Sequence, residues 1–197
     1  MNDTSVPPDG NWNALLRDQI AWHWSHQLRD RLTGLTDAEY FREPVPGCWS
    51  VRPRGTGTAP VQAGSGAMVI DFALPEPEPP PFTTIAWRLA HVIVGVLAVR
   101  NAAHFGRAPT DYPSFDYAAT ADEALAQLDA EYATWLAGVE SLGEEGLTRP
   151  CGEAEAPWGD RPMGALVLHI HRELIHHLSE VCLLRDLYRN TAPDAPL

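Results

Sequence analysis

The sequence predicts an all-α fold: a four-helix bundle with a long irregular segment between its first and second helices. Three observations predict it. Four stretches of the 197-residue chain repeat apolar side chains at helical spacing. Capping residues and helix stops bracket those stretches. Prolines and glycines crowd instead into residues 42–82, where no helical pattern survives.

Residues 1–10 are polar, without an apolar signal core, and read as a disordered lead-in. The first helix starts at Gly10 or Asn11 and runs to about Leu32. Trp12, Leu16, Ile20, Trp24 and Leu28 recur every fourth position and form its stripe. Gly34 and Thr36 end it. Within 42–82, Cys48-Trp-Ser-Val51 and Met68-Val-Ile-Asp-Phe-Ala-Leu74 are able to pair as a short β-hairpin. A segment this long inside a compact domain suggests a lid or a local excursion.

Thr83 or Thr84 caps the second helix, which runs to about Phe105 and stops at Gly106. It is apolar nearly all round and should be the most buried. The third helix spans about Thr120 to Ser141, with Ala121, Leu125, Leu128, Tyr132, Trp135 and Val139 on one face. Gly143 to Trp158 reads as a polar linker. The fourth helix runs from about Pro162 to Tyr188. Residues 11–190 thus form a single domain, followed by a tail at 191–197.

Composition narrows the function. Apolar residues make up 45% of the chain and charged ones 20%, enough for a core and too little charge for global disorder. The net charge of −12 disfavours nucleic acid and anionic membranes. The apolar run in the second helix is broken by Arg88, His91 and Arg100, as in a buried helix and not a membrane span. Every cation is an arginine, which excludes Schiff-base and P-loop lysines. Cys48, Cys151 and Cys182 form no metal or disulfide pattern and suit a reducing cytosol.

The fourth helix carries the chemistry. Its expected inward stripe is Met163, Val167, Ile170, Leu174, His177, Val181 and Leu184, so His177 stands where a hydrophobe belongs. Glu173 lies one turn earlier on the same side. Burying a lone carboxylate costs several kcal/mol (roughly, as for any unpaired ion) unless an arginine or a divalent cation compensates. A third ligand must come from another helix, and the second helix offers His91. The bland alternatives are a hydrogen-bonded core histidine and a surface i,i+4 pair. His169 is able to replace or support the pair, and His23 to approach it. His176 points about a quarter-turn away. His171 should face outward, His26 should be solvated, and His104 should be a favourable helix C-terminal charge. Arg88 is the candidate for an anionic cofactor or substrate group, against a structural arginine. Trp49 and Trp87 read as pocket-mouth or core residues, and Cys182 as a buried inert thiol.

Three segments carry a family resemblance. Val45-Pro-Gly-Cys-Trp-Ser-Val-Arg-Pro53, Ile85-Ala-Trp-Arg-Leu-Ala-His91 and Arg172-Glu-Leu-Ile-His-His177, with Glu180 and Leu183-Leu-Arg-Asp-Leu-Tyr188 after it, resemble DinB-like proteins in order and spacing. The resemblance implies a four-helix bundle holding a divalent metal, zinc or nickel, on three side chains. Many members use three histidines. The mycothiol-dependent maleylpyruvate isomerases use His, Glu and His, which map here onto His91, Glu173 and His177. An open coordination position would activate mycothiol for transfer or isomerisation, or water for hydrolysis. A non-catalytic bundle that binds a small ligand or a partner is the third reading. The expected partner is a small-molecule substrate, and the 42–82 excursion either shapes its pocket or buries itself in a homodimer.

Overall fold

The computed structural model describes residues 10–191. Most of the expected lead-in and tail, at 1–9 and 192–197, lies outside the described residues. Four long helices pack around one core, as expected.

Helix α1 spans 12–32 and is capped by Asn11, whose side chain accepts from the Ala14 N–H. It begins as α-helix at Trp12–His23, loosens to a π turn at Trp24–Leu28, and tightens to 3-10 at Arg29–Leu32. Trp24 stacks on Tyr132 of the third long helix at a centroid distance of 3.8 Å. A short α2, Asp37–Tyr40, follows behind a capping box made by Thr36 and Glu39.

The excursion folds into three strands: β1 (Val51–Pro53), β2 (Val61–Ala63) and β3 (Met68–Phe72), ordered β1-β3-β2 and antiparallel throughout. The expected pairing is present as Val51↔Ile70, but Cys48 and Trp49 lie before the strand, and a third strand joins the other edge of β3. Trp49 bridges instead to Thr83, tying the sheet to the next helix. Asp71 is buried at the sheet centre and accepts from Arg52 Nε at 2.8 Å and Ser50 N at 3.0 Å. Those bonds compensate its desolvation.

Helix α3 covers Ile85–His104. Thr84 caps it, and Gly106, with φ of +71°, follows its end. By length and composition α3 is able to cross a membrane, yet 61% of that window is buried inside the fold. It packs against both α4 and α5, as a core helix does. Its middle, His91–Ala98, is π-helical.

Helix α4, Ala121–Thr148, runs past the expected end at Ser141. Gly143 takes φ 57° and ψ −168°, which kinks the chain, and the helix resumes beyond it. What the composition marked as a linker is therefore partly helical.

Helix α5 is Met163–Thr191. Its buried seam is Met163, Val167, Ile170, Leu174, Leu178, Val181 and Arg185. That seam advances by about 3.67 residues per turn, not the 3.5 assumed in the expected stripe. The difference accumulates along the helix. Leu178 takes the seam position assigned to His177, and His177 moves to the flank facing α3. The same drift corrects His171, which was expected to face outward. It is 1% exposed and meets Trp135 edge-on at 6.3 Å.

Candidate metal centre

The flank of α5 meets the π segment of α3. A π turn inserts an extra residue and rotates the side chains that follow, and such turns recur at functional sites. Here it begins at His91. The His91 and His177 rings lie 4.8 Å apart, nearly perpendicular at 89°. His177 Nε2 is 3.4 Å from Glu173 Oε2. His91 and Glu173 line one cavity of about 460 Å³, walled on its apolar side by Val96, Val99 and Ile170. α3 and α5 thus bring the three expected residues together, with His91 and Glu173 on the cavity wall and His177 beside them.

Each histidine has one nitrogen already engaged. His91 Nδ1 is 2.8 Å from Tyr112 Oη, and His177 Nδ1 is 2.8 Å from Glu180 Oε2. Glu180 is held in turn by Arg88 NH1 at 3.0 Å. The Glu180 carboxylate, which only accepts, favours a proton on His177 Nδ1, and the Tyr112 hydroxyl is able to accept one from His91 Nδ1; that tautomer leaves Nε2 with the lone pair a metal needs. Trp87 stacks on the His91 ring at 5.5 Å and donates its indole N–H to the Asp71 carbonyl at 2.9 Å. Tyr117 Oη donates to the Tyr112 carbonyl at 2.9 Å. The β-sheet and the α3–α4 loop thus brace the histidine from outside.

Electrostatics favour ligation. Burial pushes the His91 pKa down to about 4, helped by the charges of His177 and Arg88 and opposed by those of Glu173 and Glu180. The ring is therefore neutral near pH 7, as a metal ligand must be. For Glu173, burial acts upward, but the Arg172 hydrogen bond and the His169, Arg172 and His177 charges outweigh it and hold the pKa below the usual carboxylate value.

A second donor set overlaps the first. Among the described residues, the three-donor group whose ligand atoms all lie within 4.8 Å is His176, His177 and Glu180, not His91, Glu173 and His177. Geometry alone favours the former. Burial favours the latter: the His176 side chain is 63% exposed, whereas His91 is held in the wall between α3 and α5, and the two carboxylates are alike in being arginine partners, Glu180 of Arg88 and Glu173 of Arg172.

A family model described as the DinB superfamily matches residues 19–181. The chain belongs to the DinB superfamily. No curated protein and no solved structure gives a significant match. The matched span of this DinB-superfamily chain contains His91, Tyr112, Glu173, His177 and Glu180.

The remaining sequence candidates disperse. His169 lines the cavity, with Nδ1 3.4 Å from Glu173 Oε1. His23 is bonded to Gln27 in α1, and His104 to Glu155 at 3.0 Å. Arg88 does not line the cavity; the anion-binding role expected for it meets a guanidinium already occupied by Glu180. Cys182 is buried and its thiol pKa is raised by that burial. Tyr112 and Gly95 escaped sequence reasoning. Tyr112 sits in a loop with no periodic pattern. Gly95 looked like one small residue in an apolar run.

Proposed function

We propose that this protein is a metal-dependent enzyme in which His91, Glu173 and His177 hold one divalent cation, zinc or nickel. A cation bound there would supply the Lewis acidity to activate a low-molecular-weight thiol of the mycothiol type for transfer or isomerisation. What carries the reading is the pair of engaged Nδ1 atoms: Tyr112 takes one and Glu180 the other. Two imidazoles engaged at Nδ1 and a half-buried carboxylate make a donor set suited to zinc or nickel.

Held by these three residues, the cation would lower the pKa of a thiol or of water brought beside it. The chain's own residues do the rest. Tyr112 and Glu180 keep the two rings aligned. Val96, Val99 and Ile170 exclude water from one wall and sharpen the local field. His169, beside Glu173, is the group placed to take the proton shed on thiol binding. A reducing cytosol suits both the thiol and three free buried cysteines.

Elemental analysis tests the proposal on wild type and on His91→Ala, Glu173→Ala, His177→Ala and His176→Ala proteins. One equivalent of metal in wild type and in His176→Ala, and its loss in the other three, is the expected pattern. Loss in His176→Ala with retention in His91→Ala would move the cation to the second donor set. Consumption of an electrophile that depends on added mycothiol is then expected; equal turnover without it means hydrolysis.

A further inference from the structure

Beside the metal-side cavity lies a second recess of about 520 Å³, lined by Arg100, Cys151, Glu155, Trp158, Arg161 and Arg172 among others. The two share Arg100 and His169 as a common wall. Three arginines line it in a chain whose net charge is −12; Arg172 is paired with Glu173 and Arg100 with Glu155, so Arg161 is the one left to meet an incoming anion, with Arg100 Nε beside it. One carboxylate, Glu155, faces them, and it is bonded to Arg100 at 3.4 Å and to His104 at 3.0 Å. Burial raises the pKa of Glu155, but those two partners outweigh it and keep it low, so Glu155 stays ionised and matched. Among the described residues no carboxylate pairs with Arg161, whose guanidinium lies 5.8 Å from the centroid of the Trp158 ring. Arg100 Nε is buried without a hydrogen-bond partner. Arg172 bonds Glu173, joining the recess to the metal ligands at 3.1 Å.

We propose that this recess is an anion subsite: it takes the carboxylate of a small organic acid whose reacting carbon reaches the cavity beside His91. The inference rests on the metal-enzyme reading for its reacting end, and on the arginines alone for its anionic end. The chemistry is specific. Guanidinium groups match a carboxylate with paired N–H donors, and Trp158, 64% exposed, offers a flat face to the rest of the molecule. Each chamber is of the size that holds a small molecule. Elsewhere the acidic surface repels such an anion, so the recess also selects where it lands. The carboxylate belongs either to the electrophile or to a thiol other than mycothiol, which carries none.

Equilibrium binding of glutarate and of its neutral counterpart glutaramide tests this, on chelator-treated and on zinc-loaded protein. Glutarate is expected to bind at least about tenfold more tightly than glutaramide, with the preference lost at high salt. Arg161→Gln, at an exposed position, should remove most of the preference, while Arg149→Gln, which does not line the recess and pairs with Glu145, should leave it intact. Thermal midpoints confirm that both variants fold. Equal binding of the two probes, or full discrimination in Arg161→Gln, overturns the subsite. A preference that persists without zinc puts the carboxylate on the electrophile. A preference for mercaptosuccinate over 2-mercaptoethanol that appears only with zinc puts it on the thiol. Failure of the metal proposal shows separately, as absent metal with glutarate discrimination intact.

Discussion

Tyr112 Oη lies 2.8 Å from His91 Nδ1, and it reaches that position because residue 95 has no side chain. A Cβ on Gly95 would fall 2.1 Å from the hydroxyl and 3.3 Å from the imidazole nitrogen. The π turn, the glycine and the tyrosine act together to hold the His91 ring at the cavity wall. Tyr112→Phe should therefore weaken metal binding by roughly 10–100-fold, the usual effect of losing such an outer partner. Chelator competition measures it. Gly95→Ala should do the same and also lower the melting temperature. Unchanged affinity in both would mean that the hydroxyl does not orient the ligand.

Arg88 discriminates between the two overlapping donor sets. In the proposed arrangement its ion pair with Glu180 holds His177 in place, so Arg88→Met should loosen the ring and weaken the metal. In the alternative set, Glu180 is itself a ligand, and freeing it from Arg88 should tighten binding. The sign of the change in dissociation constant, read by competition titration, decides between them.

The buried pair of Glu39 and Arg185 anchors α2 against α5. Their side chains are 4% and 2% exposed, and Arg185 Nε is 2.9 Å from Glu39 Oε1. Arg185 also donates to the Arg31 carbonyl. Burial raises the Glu39 pKa, but the bonds to Arg185 and the Thr36 N–H outweigh it and leave it lowered. Arg185→Met strands a buried carboxylate and should cost about 3–5 kcal/mol in urea denaturation. Adding Glu39→Gln should recover part of that loss. Because the folded pKa is depressed, the stability this pair gives is present above the unfolded carboxylate pKa and lost as pH falls through the folded one.

The bundle and the four helices were legible because their signals are local: caps at Thr84 and Thr120, and stripes that repeat within a few turns. Glu173 and His177 were legible for the same reason, being one turn apart on one helix. What the sequence hid depends on accumulated geometry or distant contact. About a sixth of a residue per turn moved His177 off the seam and put His171 on it. The π turn in α3 leaves no mark in its apolar run. Tyr112 finds His91 only through the fold of a loop, and β2 pairs with β3 through a stretch too irregular to show period two. The three arginines of the recess come from α3, the 152–162 loop and α5, so no window of sequence joins them.

His171 makes the stability of the metal-free protein fall in mild acid. Both ring nitrogens are buried without a partner, and burial lowers the pKa to about 4 from 6.5. Between those values the unfolded chain binds a proton that the folded chain excludes, so stability decreases as pH drops through that window. Above it both states are neutral, and below it both are charged. By pH 5 the loss should reach roughly 2 kcal/mol from this residue. His91, also lowered to about 4, adds a slope of the same sign when no metal is bound. His171→Leu removes the first contribution and keeps the second. Urea midpoints at pH 7.5 and pH 5 should then separate less in the variant than in wild type, and the variant should be at least as stable at pH 7.5, because no polar atom is left unpaired at that position. An identical acid loss in both proteins would show that residue 171 gains a partner, or water, when the bundle is in solution.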